Sequence, residues 1–300
     1  MQQDHPAASA TLLADSRNLL GEGATWCDRT HAVYWVDIEG AQLWRCRADG
    51  SAPTSWAIPE RLACFALTHD PDVLLVGLAT HLAFFDLRSR TFTRIVDVEP
   101  GLPTRLNDGR CDPFGAFVFG MKDEGSEPPQ AVGGFYRLSA DLTLERLALP
   151  PAAIANSIAF SPDGSKMYFC DSLIREIFVC DYRAGGDVAN VRPFARLTDP
   201  DGDPDGSTMD CNGGLWNAQW GGRRVVRYGP DGVETDRVTV PTAQPSCVAL
   251  DGEGRLYVTS ARVGLSDDGL AIDADAGCVF VARTRYAGLP TARFAGKRAG

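Results

Sequence analysis

The chain has no Cys-x-x-Cys pair, only four histidines, fewer basic than acidic residues, and no uncharged apolar run long enough to span a bilayer. Each shortage closes a class of function. Nine cysteines, at 27, 46, 64, 111, 170, 180, 211, 247 and 278, are an odd number without paired spacing, which argues against a disulfide framework and against a cysteine zinc site. They read instead as small core hydrophobes. With 29 Lys and Arg against 39 Asp and Glu, the net charge is -10 and the pI about 4.9. A surface of that sign repels nucleic acid and anionic membranes, but leaves a local cation site open. Residues 1–18 carry Asp4, His5, Asp15 and Arg17 and lack a basic start followed by an apolar core, so no secretory signal is read and a cytoplasmic location is expected. Helical periodicity is also missing: no stretch of ten or more residues shows it with caps.

What remains is a succession of short β-rich runs separated by Gly, Pro, Asp and Asn, such as 33–36, 73–76, 117–119, 167–170, 215–216 and 256–258. Similar turns precede these runs, with landmarks at Asp28, Asp70, Asp112, Ser161, Asp210 and Asp251. Subtraction gives spacings of 42, 42, 49, 49 and 41 residues. Such a period of strands and tight turns predicts an all-β, six-bladed β-propeller with four-stranded antiparallel blades around a channel. Residues 1–300 are expected to form a single domain, with 10–14 adding a strand that closes the last blade and 296–300 as a frayed tail.

The first strand of each blade runs along the channel, so residues at equal phase before each landmark converge near the axis. Five positions back stand Phe65, Asn107, Asn156, Asp205 and Ser246; in the first repeat, six back, stands Glu22. Four of these six are carboxylates or amides. Glu22, Asn107, Asn156 and Asp205 present oxygen donors suited to a hard or borderline divalent ion, while the histidines at 5, 31, 69 and 81 lie off this phase. Structural explanations compete at each position. Pro-Asp-Gly is ordinarily a turn, as at 162–164 and 230–232; Asn107-Asp108-Gly109 is a hairpin signal; Gly21-Glu22-Gly23 reads equally as a loop with a solvated acid. Shared phase is what raises Asp205 above them. Arg105, two residues before Asn107, faces the same side on an extended strand. Trp26, Trp35, Trp44, Tyr168 and Trp216 are expected to pack between blades.

The segments Leu20 to Trp26, Arg105 to Gly109, Asn156 to Gly164, Pro204 to Ser207, Thr259 to Arg262 and Gly264 to Ser266, in this order, resemble the senescence marker protein/gluconolactonase/luciferin-regenerating enzyme family over nearly the whole chain. The 216–222 and 259–266 segments look more like the bacterial sugar lactonases. The resemblance implies one divalent metal (Ca, Fe, Mn, Mg or Zn) at Glu22, Asn156 and Asp205, and substrate contacts from Arg105 and Asn107. Where the family commonly has Gly-Thr-Met, this chain reads Gly120-Met121-Lys122-Asp123-Glu124, and the acidic substrate contact expected nearby is assigned to Glu124. The expected activity is hydrolysis of a small-molecule sugar lactone, a pentono- or hexono-1,4- or 1,5-lactone, in sugar catabolism by a monomer or weak homo-oligomer. Asp205 is the candidate catalytic base, although metal ligation weakens a carboxylate as a base and leaves positioning as its alternative role. Another metal-dependent esterase or phosphotriesterase, or a non-catalytic calcium-binding or docking propeller, are the competing readings.

Overall fold

Each repeat places its Gly, Pro and Asp in turns and its aromatic and aliphatic residues in strands of about six residues, too short to bury a face alone. Stacking the repeats in a ring solves this. A computed structural model describes residues 8–198 and 202–298, and six antiparallel sheets follow one another around a channel, as the period predicts. Blade 1 comprises Gly21–Cys27, Ala32–Asp37, Gln42–Arg47 and Thr54–Ala57, from channel to rim. The inner strands of blades 2 to 6 are Leu62–Leu67, Thr104–Cys111, Ala155–Phe160, Asp203–Met209 and Pro245–Leu250.

The ring is closed by the start of the chain. Thr11–Ala14 pairs antiparallel with Val279–Arg283, setting Thr11 opposite Val281 and Leu12 opposite Phe280. Ala8–Ser9 then crosses to blade 5 and pairs parallel with Glu234–Thr239, an addition the repeat does not announce. Both contacts cover strand edges that would otherwise be unpaired. At the other terminus, Phe294 is fully buried, its amide donating to Leu67 O at 2.8 Å. Of the expected tail, Arg298 reaches Asp86 at 3.3 Å; 299–300 lie outside the described residues.

Aromatic pairs cross the blade boundaries: Trp26 stacks on Tyr257 at 5.6 Å, Tyr34 meets Phe65 at 6.4 Å and Phe135 meets Phe169 edge-on at 5.2 Å. Trp35 and Trp44 also stack on each other and join a cluster shared with blade 6, while Tyr168 packs on Phe194 and joins one shared with blade 5. Eight cysteines are buried and all nine are free; Cys211 is exposed rather than a core residue, its thiol donating to Gly288 O at 3.1 Å.

One local feature recurs in every inner strand. Pairing with the second strand slips between Glu22 and Thr25, Leu62 and Cys64, Leu106 and Gly109, Asn156 and Ala159, Pro204 and Ser207, and Pro245 and Val248. These are β-bulges, which bend a strand and re-aim its side chains. The stretches Asn107-Asp108-Gly109 and Pro204-Asp205-Gly206 are therefore bulges inside strands, not turns.

Candidate active site

The bulges bring Glu22, Asn107, Asn156 and Asp205 to one end of the channel, each from a different blade. A chain of hydrogen bonds joins three of those blades. Arg105 Nη1 donates to Asn107 Oδ1 at 2.7 Å, Asn107 Nδ2 to Asn156 Oδ1 at 3.0 Å, Asn156 Nδ2 to Ser172 Oγ at 2.9 Å, and Ser172 Oγ to Pro204 O at 2.8 Å. Arg105 and Asn107 thus share a face, as strand alternation requires. Ser157 Oγ meets Ser207 Oγ at 2.5 Å, and Asn217 Nδ2 holds the Asp205 carbonyl at 2.8 Å. The backbone beneath the site is pinned at the junctions between blades 3, 4 and 5.

The carboxylates themselves are left largely without partners. Among the described residues, Asp205, 5% exposed, has no hydrogen bond to its Oδ1, and Glu22 receives only the Gly23 amide at 3.3 Å. Burial and the neighbouring Asp108 push the Glu22 carboxyl up to about 8, and burial with the Glu22 charge raises Asp205 well above the ordinary range. Glu22 keeps part of its surface open to the channel, so crowding by protein atoms and the second acid, rather than complete sealing, holds its proton. Two facing carboxylates and an amide oxygen, without a compensating hydrogen-bond set, are a donor set that fits a divalent cation. Among the described residues no group of three or more His, Cys, Asp or Glu is arranged to hold a metal; this set has only two such side chains.

Arg105 is 2% exposed and is fixed by Leu106 O at 2.8 Å, by Asn107, and by Glu124 Oε1 at 3.2 Å. Glu124 also takes both terminal nitrogens of Arg61 at 2.6 Å, and that pairing holds its carboxyl below the usual range. It stands at the mouth beside Arg105. Two phase positions have other uses: Phe65 is buried in the hydrophobic core, and Ser246 Oγ binds Gly21 O and Thr259 Oγ1.

Sequence reasoning missed Asp108 and Lys122. Asp108 accepts the Ile158 amide at 2.8 Å, and burial raises its carboxyl. Because a bulge sets two residues against one, counting a single residue per repeat overlooks the second. Lys122 lies opposite Arg105 in the strand register; the departure from the expected Gly-Thr-Met was the available signal. Arg110 crosses the channel below, donating to Ile158 O at 3.1 Å and Ser207 O at 2.7 Å. A cavity of about 350 Å³ lies at that other end, walled by Trp26, Phe65, Phe160 and Met209 and covered by Leu289–Ala292. It contains none of the candidate ligands; Arg110, Thr25, Ser161 and Thr208 share its walls with the apolar residues, and no carboxylate among the described residues lines it.

A six-bladed propeller with oxygen donors gathered from different blades at one channel mouth is the class that fold and site define. Residues 20–262 match the SMP-30/Gluconolactonase/LRE-like region, and the chain belongs to that family. It is 86% identical to L-arabinolactonase of Azospirillum brasilense over 99% of both chains. It is 32% identical to 6-deoxy-6-sulfogluconolactonase of Pseudomonas putida, covering 93% of this chain and 96% of that one. A solved structure of a calcium-binding protein, regucalcin, from Agrobacterium tumefaciens superposes with a TM-score of 0.89 at 29% identity, covering 96% of this chain and 98% of that one.

Proposed function

We propose that the protein hydrolyses a sugar lactone to its aldonic acid at the Glu22, Asn156 and Asp205 site, with a five-carbon lactone of the L-arabino series as substrate. The observation that carries the site is the unpartnered Asp205 Oδ1 facing a second acid in a polar channel mouth. Substrate class is supported by the 86% identity to L-arabinolactonase.

In the reaction water adds to the acyl carbon, the bond from that carbon to the ring oxygen breaks, and the ring oxygen takes a proton to become a hydroxyl. Glu22, Asn156 and Asp205 would hold a divalent ion, which would supply Lewis acidity when bound. Asn107 holds Asn156 Oδ1 in place and so orients that ligand. Arg105, immobilised by three acceptors, presents donors to substrate oxygens without reorganising, and Glu124 offers an acceptor for a sugar hydroxyl. Asp205 Oδ1 receives the proton of the attacking water, or, if ligation leaves it too weak a base, fixes that water in line.

The test is a panel of aldono-1,4- and 1,5-lactones, including L-arabinono-1,4-lactone, assayed after chelation and again with single added divalent ions. Turnover that returns with one ion supports the proposal. No lactone hydrolysed above its spontaneous rate overturns it.

A further inference from the structure

Lys122 carries a charge that no described group at the mouth contacts directly. It is half-buried on Phe117–Asp123 and sits directly opposite Arg105 across the strand pair. Residues so placed project to the same side of a sheet, and like charges there repel. The other cations nearby are paired: Arg105 with Glu124, and Arg61 with Glu124 and Glu39. Among the described residues the Lys122 ammonium has neither hydrogen bond nor ion pair. Glu22, Asp205 and Glu124 all feel its charge, while burial and then Arg105 push the ammonium below its ordinary range.

Two cations side by side, one without an anion in contact, repel each other, and an anion bound between them relieves that repulsion. The proposed reaction makes one. Its substrate is a neutral ester, and its product, after the acyl carbon gains an oxygen and the acid releases its proton, is a carboxylate. We propose that Lys122 is a binding residue for the carboxylate end of an aldonate, and for the negative charge that grows on the acyl oxygens before it forms. Arg105 then orients the neutral part of the sugar, and Lys122 discriminates the charged state from the neutral one. This assignment rests on the lactonase reading of the site.

The experiment compares wild type with Lys122→Met and Lys122→Arg, measuring kcat and KM for the neutral lactone, competitive inhibition by the aldonate, and aldonate binding by calorimetry in the metal-loaded protein. Loss of one charge-assisted contact predicts aldonate binding weaker by about tenfold or more and kcat lower by about ten- to a hundredfold in Lys122→Met. KM for the lactone should move less than about threefold, and Lys122→Arg should keep most of the aldonate affinity. Parallel changes in KM and aldonate inhibition, or an unchanged aldonate affinity with altered divalent-ion affinity, would show that Lys122 only offsets the acids and would overturn the proposal. If Lys122→Met does not fold, Lys122→Gln is read by the same criteria. If wild type turns over no lactone, the lactonase reading fails by itself, and calorimetry with the aldonate still decides whether Lys122 binds a carboxylate.

Discussion

Blade 5 treats buried carboxylates in opposite ways at the two ends of its inner strand, although only five residues separate Asp205 from Asp210. At the landmark end, Asp210 is 0% exposed and fully satisfied. The amides of Asn212 and Gly214 donate to Oδ1 at 2.9 Å, Trp216 Nε1 to Oδ2 at 3.0 Å, and Arg227 Nε to Oδ2 at 2.6 Å. Asp112 and Asp251 repeat the plan with turn amides, an arginine and a tyrosine. At the mouth, Asp205 has an orphaned oxygen and faces Glu22. The contrast separates acids that stabilise the fold from acids held at a cost for function.

That contrast breaks most sharply under mutation. Asp205→Asn should lower lactone turnover by about a thousandfold or more, with the thermal midpoint of the metal-free protein unchanged or higher, as steady-state assays and calorimetric melting would register. Asp210→Ala should do the reverse. Removing it strands Arg227, which is 4% exposed, and costs about 3–5 kcal/mol; denaturant titration should show that loss, while whatever protein folds retains kcat. Next in size, Arg105→Lys keeps the charge but not the fork that Asn107 and Glu124 hold, and should reduce kcat/KM by about ten- to a hundredfold.

A pH titration sharpens the same comparison without mutation. Glu22 stands at about 8 in the folded protein against an ordinary 4.5, so the folded chain holds that proton more tightly than the unfolded chain. Its stabilisation is complete below about 4.5 and is lost as pH rises through about 8. Asp205 contributes in the same direction. Melting curves of the metal-free protein should therefore shift to lower temperature across that window, and divalent-ion affinity should rise across it as the ion displaces the proton. Glu22→Gln should flatten both trends. The smallest effect belongs to Cys211→Ser, whose side chain is exposed: stability within about 0.5 kcal/mol of wild type.

Much of this was written in the sequence, because turn chemistry and strand length repeat visibly every 41 to 49 residues. Equal phase gathers Asn107, Asn156 and Asp205 for the same reason, with Glu22 one residue out of step in the first repeat. Bulges were illegible because they recruit the residues that turns recruit. Gly23 at φ 62° and Ser157 at φ 65° take left-handed conformations inside strands, and Gly206 is small because a Cβ there would meet Cys247 Sγ at 2.5 Å. Asn107-Asp108-Gly109 therefore looked like a hairpin, and Asp108 went unnoticed. Lys122 was hidden differently: its place beside Arg105 follows from cross-strand register, which no spacing within one strand encodes. The Ala8–Ser9 clamp and the Phe294 anchor depend on the ring as a whole.

Whether the unpartnered acids at the mouth bind a catalytic ion is decided by titrating chelator-stripped protein with single divalent ions while following turnover of L-arabinono-1,4-lactone. The account predicts no activity above the spontaneous rate until ion is added, recovery that saturates at one ion per chain, and neither binding nor recovery in Asp205→Asn. Full turnover by the stripped protein, or undiminished ion-dependent recovery in Asp205→Asn, would contradict it.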